Sequence, residues 1–215
     1  MVGQNNRKRI FYAVIYALVI TALMPFFIIV SQQYQHTAAR VFYIVVQCFV
    51  WHEILKLILT MLFEYFARKL DGEANISGGK TSVNFIVSAS GLILYIAATA
   101  LVVSGYTQAL IAAFLPALIL SQSYKANLMI GRNGIYYSGQ VKEEINGKVK
   151  SIIFNPAIYG GYYHIKKEKI RNVEILPKDS SDIAAVVFTL KDKKILMDLK
   201  PSGSAEAICE KLGGL

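Results

Sequence analysis

The stretch from Val41 to Phe66 constrains this chain more than any other. It is long and apolar enough to cross a bilayer, yet it carries His52, Glu53 and Lys56 close to its middle. At 1.5 Å of rise per residue, roughly 20 residues of helix span a hydrocarbon core of about 30 Å. A charged side chain at the centre of such a helix costs roughly 2.5–3.5 kcal/mol on insertion scales. Any fold for this chain must therefore place an apolar helix in lipid and also give those charges a partner.

The rest of the chain divides around that requirement. Over 215 residues, 54% are hydrophobic, 17% are charged and the mean hydropathy is +0.43, which is too apolar for an ordinary soluble domain. The apolar residues are concentrated: residues 10–122 hold four hydrophobic runs, whereas 123–215 alternate apolar with polar residues and carry 15 of the 23 Lys and Arg. The sequence thus predicts a transmembrane domain over 1–122 and a second domain over 123–215, each large enough to bury a core. Cys48 lies in the second hydrophobic run and Cys209 near the C-terminus, so they do not form a disulfide framework and read as reduced packing residues.

Arg7, Lys8 and Arg9 precede the first run, Ile10 to Val30, which no charge interrupts. Ser31-Gln32-Gln33 offers no small-x-small cleavage site, so this run is expected to be a retained anchor, with Pro25 bending it toward one end. The third run spans Thr81 to Val103, and the fourth, Thr107 to Gln122, is short and contains Pro116. That fourth run fits either a thin span or the return arm of a re-entrant hairpin, and a span is expected. Lys and Arg cluster before the first run, in the 67–80 loop and after the fourth, while the loops at 31–40 and 104–106 hold Arg40 alone. The excess of basic residues on cytoplasmic loops then puts both termini in the cytoplasm.

At about 100° per residue, Glu53, Lys56, Thr60 and Glu64 share one stripe of the second helix, with His52 at its margin. Asn84, Ser88, Gly91, Tyr95 and Thr99 share one face of the third, and antiparallel packing lets the two stripes face each other. Two readings follow. The stripe lines a polar cavity or ion path open to the cytoplasm, or it is a packed seam in which Glu53 and Lys56, three residues apart, neutralise each other and Gly91 permits close approach. The seam needs fewer assumptions, because the spans hold no further acidic partner. A metal site does not follow, since Lys56 stands where H-E-x-x-H requires its second histidine.

From Ala126 onward the pattern is one of short strands, expected at 126–131, 134–139, 149–154, 157–165, 171–176, 183–190 and 194–199. Turn chemistry separates several of them: Arg132-Asn133-Gly134, Asn146-Gly147 and Lys191-Asp192-Lys193. Ser204 can cap a short helix over Ala205 to Leu212, which has one apolar side and ends at Gly213-Gly214. The expected fold is an α+β membrane protein: a four-helix transmembrane bundle, then a small cytoplasmic antiparallel β-barrel or sandwich of seven strands with a C-terminal helix.

The stretches Asn127 to Gly139, Lys169 to Ile175 and Val187 to Ile195, with the final helix, resemble bacterial pleckstrin-homology-like (PH-like) domains. Such domains often close small multi-span membrane proteins, and the resemblance covers about 90 residues. It implies a seven-strand barrel plugged by the helix and a binding role. The Tyr-rich segment around Gly160-Gly161 departs from the commonest pattern of these domains.

Lys166, Lys167, Lys169 and Arg171 form the densest basic run, beside Tyr162 and Tyr163. They fit anionic headgroups at about 1 kcal/mol per basic residue, or equally a solvated hairpin with aromatic cross-strand packing. Phosphoinositide reading is not expected, because the paired basic residues of the first hairpin reduce to Arg132. Nucleic acid is not expected either, as no RNA-recognition aromatic signature is present. Ser77-Gly78-Gly79-Lys80-Thr81 lacks the first glycine of a phosphate loop. His36, His52 and His164 fall at three different depths, so local spacing assembles no catalytic set.

The expectation is a non-enzymatic protein of a bacterial plasma membrane, without cofactor or metal, serving as an accessory, regulatory or immunity-type partner of a membrane complex or as a homo-oligomer. The alternative is a small transporter or proton-linked channel subunit that uses Glu53, Lys56 and Glu64.

Overall fold

The computed structural model describes residues 3–71, 77–78, 83–106, 114–124, 127–151, 156–177 and 184–199. The chain is α+β and forms two compact units, one of residues 1–58 with 83–124 and one of residues 59–82 with 125–215.

The first unit is helical. Helix α1 covers Gly3–Ser31, α2 covers Thr37–Asp71, α3 covers Phe85–Val103 and α4 covers Leu115–Gln122. Among the described residues, three helices have stretches long and apolar enough to cross a membrane: Ile10–Ser31, Thr37–Leu70 and Phe85–Val103. The eight residues of α4 extend about 12 Å, so α4 by itself is not a span, and residues 107–113 of the expected fourth run lie outside the described residues. Asn84 starts α3 as its cap, its side chain accepting from Val87 N at 3.4 Å. Asn84 N donates to Ser123 O at 2.9 Å, and Val83 bridges to Tyr124, so the start of α3 is tied to the end of α4. At Gly91 a Cβ would lie 2.8 Å from Leu120, so the glycine is what lets α3 and α4 approach. Val46, Val50, Ile54, Leu57, Ala117 and Leu120 fill the interior between these elements.

The second unit is built on antiparallel strands: β1 (Ser77–Gly78), β2 (Leu128–Ile130), β3 (Gly134–Tyr137), β4 (Val141–Ile145), β5 (Lys148–Ser151), β6 (Tyr163–Lys166), β7 (Asn172–Pro177), β8 (Ala184–Thr189) and β9 (Lys194–Leu199). They form two sheets, ordered β1-β2-β3-β6 and β5-β4-β9-β8-β7. Of the expected barrel or sandwich, the barrel is corrected: the described strands form two antiparallel sheets and no closed barrel. The expected C-terminal helix lies outside the described residues. The strand expected over 157–165 is instead a helical turn, α5 (Pro156–Tyr159), followed by β6. Gly160 and Gly161, both at φ 83°, provide the left-handed backbone between them.

The expected turns appear where their chemistry requires them. Asn146 (φ 52°) and Gly147 (φ 74°) turn β4 into β5, and positive φ at both positions is what a type I′ hairpin demands. Between the sheets, Leu128, Ile135, Tyr137, Tyr163 and Ile165 meet Val141, Val186, Phe188, Ile195 and Met197. A Cβ on Gly134 would stand 2.2 Å from Ile165 O, so the β3–β6 pairing depends on that glycine.

The last turns of α2 belong to this second unit. Ala67 and Phe63 pack with Met129, Tyr136 and Tyr162, and Gly161 N donates to Thr60 Oγ1 at 3.0 Å.

Candidate functional site

In the first unit His52, Glu53 and Lys56 of α2 are drawn into one cluster. Lys56 Nζ donates to Glu53 Oε2 at 3.0 Å, and His52 Nδ1 lies 3.3 Å from Glu53 Oε1. Lys56 is buried, and its ammonium sits 4.7 Å from the centroid of the Tyr124 ring. The cation thus has a carboxylate on one side and an aromatic face on the other, an arrangement worth about 2 kcal/mol from the ring alone when desolvated. The position of Tyr124 follows from the end of α4, which bridges to Val83. Tyr16 of α1 donates to His52 O at 3.4 Å, and its ring lies 5.4 Å from the imidazole.

The rest of the expected stripe is placed differently. Thr60 accepts from Gly161 N, and Glu64 accepts from Arg68 at 3.0 Å, both within the second unit. On α3, Asn84 is a cap, Ser88 Oγ donates to Asn84 O at 2.8 Å, and Gly91 faces Leu120 of α4. Tyr95 meets α2 by accepting from Trp51 Nε1 and donating to Gln47 Oε1, both at 3.0 Å. Thr99 stands one turn further along the same face. The facing seam is therefore shared, with Gly91 serving α4 and Tyr95 serving α2 through Gln47 and Trp51.

Gln47, Trp51 and Tyr124 are the residues of this site that the sequence reading passed over. The signal was present, since Tyr43, Gln47 and Trp51 recur every fourth residue and so share a face. They carry no formal charge, so charge patterning does not mark them.

In the second unit Tyr162 and Tyr163 are buried, which removes them from the candidate membrane-surface contacts. Tyr162 packs on Ala67, and Tyr163 OH donates to Glu143 Oε1 at 2.9 Å, an oxygen that also accepts from Lys193 at 2.7 Å. Lys166, Lys169 and Arg171 are exposed and Lys167 is half-buried. Glu168 sits among them, 3.6 Å from Lys166, and lowers the net charge of the patch. Among the described residues no group of three or more His, Cys, Asp or Glu is positioned to hold a metal ion.

No family model, curated protein or solved structure matches this chain.

Proposed function

We propose that this chain is a non-enzymatic, multi-pass protein of a bacterial plasma membrane that acts as an accessory, regulatory or immunity-type partner of another membrane complex. In this reading both termini are cytoplasmic, the fourth hydrophobic run completes a four-span domain, and the second unit is a PH-like interaction domain. The observation that carries the proposal is the division of α2. Its 35 residues would be about 52 Å long, well beyond a hydrocarbon core. The surplus turns, through Thr60, Phe63 and Ala67, are structural members of the sheet unit. A helix committed in this way suits a protein that presents a folded domain at the membrane for a partner to engage.

The closed Glu53–Lys56 pair supports the same reading over transport. Each charge has its neutralising group within hydrogen-bonding distance, so neither needs an ion or substrate to balance it. The test is purification from native membranes in mild detergent, with stoichiometric recovery of a membrane-protein partner or a homo-oligomer expected. Monomers alone under gentle conditions would refute the proposal. A flux in liposomes that Glu53→Gln abolishes would establish the transporter instead.

A further inference from the structure

A second polar group in the first unit lies away from the charge cluster and has a different chemistry. Tyr34, in the turn between α1 and α2, and Tyr43, on the second turn of α2, are buried with side chains only 3% and 0% exposed. Their rings are 5.5 Å apart, and they pack with Val30 and Val102. Neither hydroxyl has a hydrogen-bond partner among the described residues. A buried hydroxyl left without a partner costs roughly 1–3 kcal/mol, and here two such hydroxyls are neighbours. Gln47 stands one turn beyond Tyr43 on the same face of α2, and there the Tyr95 hydroxyl of α3 bonds both Gln47 and Trp51.

We propose that Tyr34, Tyr43 and Tyr95 frame an internal compartment of the helical unit that holds water and ends blindly at Trp51. A buried water makes about three hydrogen bonds to groups otherwise left unsatisfied. The hydroxyls of Tyr34 and Tyr43, each able to donate and accept, and the remaining lone pair of the Tyr95 oxygen supply that number. The set favours a neutral guest: its described polar groups are tyrosine hydroxyls and the Gln47 amide, and Arg40 is occupied at the rim, its Nε donating to Tyr34 O at 2.7 Å. The floor is closed by Trp51, whose ring stands edge-on to Tyr95 at 6.3 Å with its N–H committed to the Tyr95 hydroxyl. Water admitted from the α1–α2 turn therefore reaches Gln47, about 15 Å along α2, and goes no further. This inference is independent of the partner reading above, because it concerns hydration and not assembly.

The test is thiol accessibility in proteoliposomes, with Cys48 and Cys209 replaced by Ala. Gln47→Cys should be modified by a small aqueous methanethiosulfonate at least about tenfold faster than Val50→Cys, because only a hydrated thiol ionises to the reactive thiolate. Val50 is fully buried in the apolar interior one turn away and supplies the dry reference. Tyr43→Phe, which deletes one of the three water-binding hydroxyls, should slow the modification of Gln47→Cys severalfold. Equal rates at positions 47 and 50 in folded protein would overturn the proposal. If Gln47→Cys does not fold, the unsubstituted protein decides the matter, because Trp51 is its single tryptophan. A rise in Trp51 emission on transfer from H2O to D2O supports a hydrated floor, and unchanged emission overturns it.

Discussion

Lys56 pairs with Glu53 three residues before it, and Tyr124 covers its other side, so neither charge is left to lipid. Removing one partner of a buried pair strands the other charge and is far more costly than removing both. Lys56→Met should therefore lower stability by roughly 3 kcal/mol, and the double change Glu53→Gln with Lys56→Met should recover most of the loss. Thermal unfolding in detergent measures both, and a double variant no more stable than the single would show that the pair does not act as a unit. Tyr137, in the second unit, gives a pH-dependent counterpart. Burial, with Asp198 adding its charge, raises its phenol well above the ordinary tyrosine value of 10.0, and its hydroxyl donates to Asp198 O. A raised value in the folded state means that the neutral form is favoured by folding. Its contribution is complete below pH 10 and is lost progressively as pH climbs beyond. Tyr137→Phe should be less stable at neutral pH and should show a flatter decline above pH 10, as read by denaturant unfolding across that window. At this scale the sequence was legible where charge marked it: Glu53 and Lys56 could be paired from their spacing alone. The hydroxyls of Tyr34 and Tyr43 could not be found, because whether a tyrosine hydroxyl is satisfied depends on which helix covers it.

Helix α2 shows how far periodicity carries at the scale of an element. Its apolar pattern stops at Phe66, yet the helix continues to Asp71, supported by Glu64 and Arg68, an i, i+4 pair at 3.0 Å. The pair was readable, but the packing of Ala67 on Met129 and Tyr162 joins residues far apart in sequence, and local pattern says nothing about it. Strand β4 escapes local pattern for the opposite reason. Val141-Lys-Glu-Glu-Ile145 is short and mostly charged, and only the Asn146-Gly147 turn behind it demanded a strand in front. The helical turn α5 occupies residues that alternate well enough to read as a strand, but Gly160 and Gly161 at positive φ break the extended chain. Thr60 is where α2 meets that break. Thr60→Val keeps the shape of the side chain but removes the acceptor of the Gly161 N–H, at a cost of about 1–3 kcal/mol. Amide exchange at Gly161 should accelerate in Thr60→Val and remain slow in Thr60→Ser. Unchanged exchange in Thr60→Val would show that the bond does not hold this segment.

For the whole molecule, composition separated an apolar helical part from a strand-rich part, because lipid and water impose different residue alphabets and different periods. It did not anticipate that the strand-rich unit would include the final turns of α2 and the short strand β1, since a sheet unit takes elements from wherever the chain brings them. The surface of that unit carries the remaining functional expectation. Lys166, Lys169 and Arg171 are exposed around the 3-10 turn at Lys167–Lys169, with Glu168 among them as an opposing charge. If this patch rests on anionic headgroups, as expected for a domain tethered at a membrane, each basic residue contributes about 1 kcal/mol near the surface. In nanodiscs of anionic lipid, tryptic cleavage at these residues should then be slower than in zwitterionic nanodiscs. The difference should vanish at about 1 M salt, where the screening length falls to roughly 3 Å. Replacing the four basic residues with Gln removes the trypsin sites, so the same variant is followed by amide exchange over 163–171 and should exchange alike in both lipids. Equal cleavage of the unsubstituted protein in the two lipids would assign the basic run to solvent, leaving Tyr163 and its bond to Glu143 as the structural reason for the aromatic residues beside it.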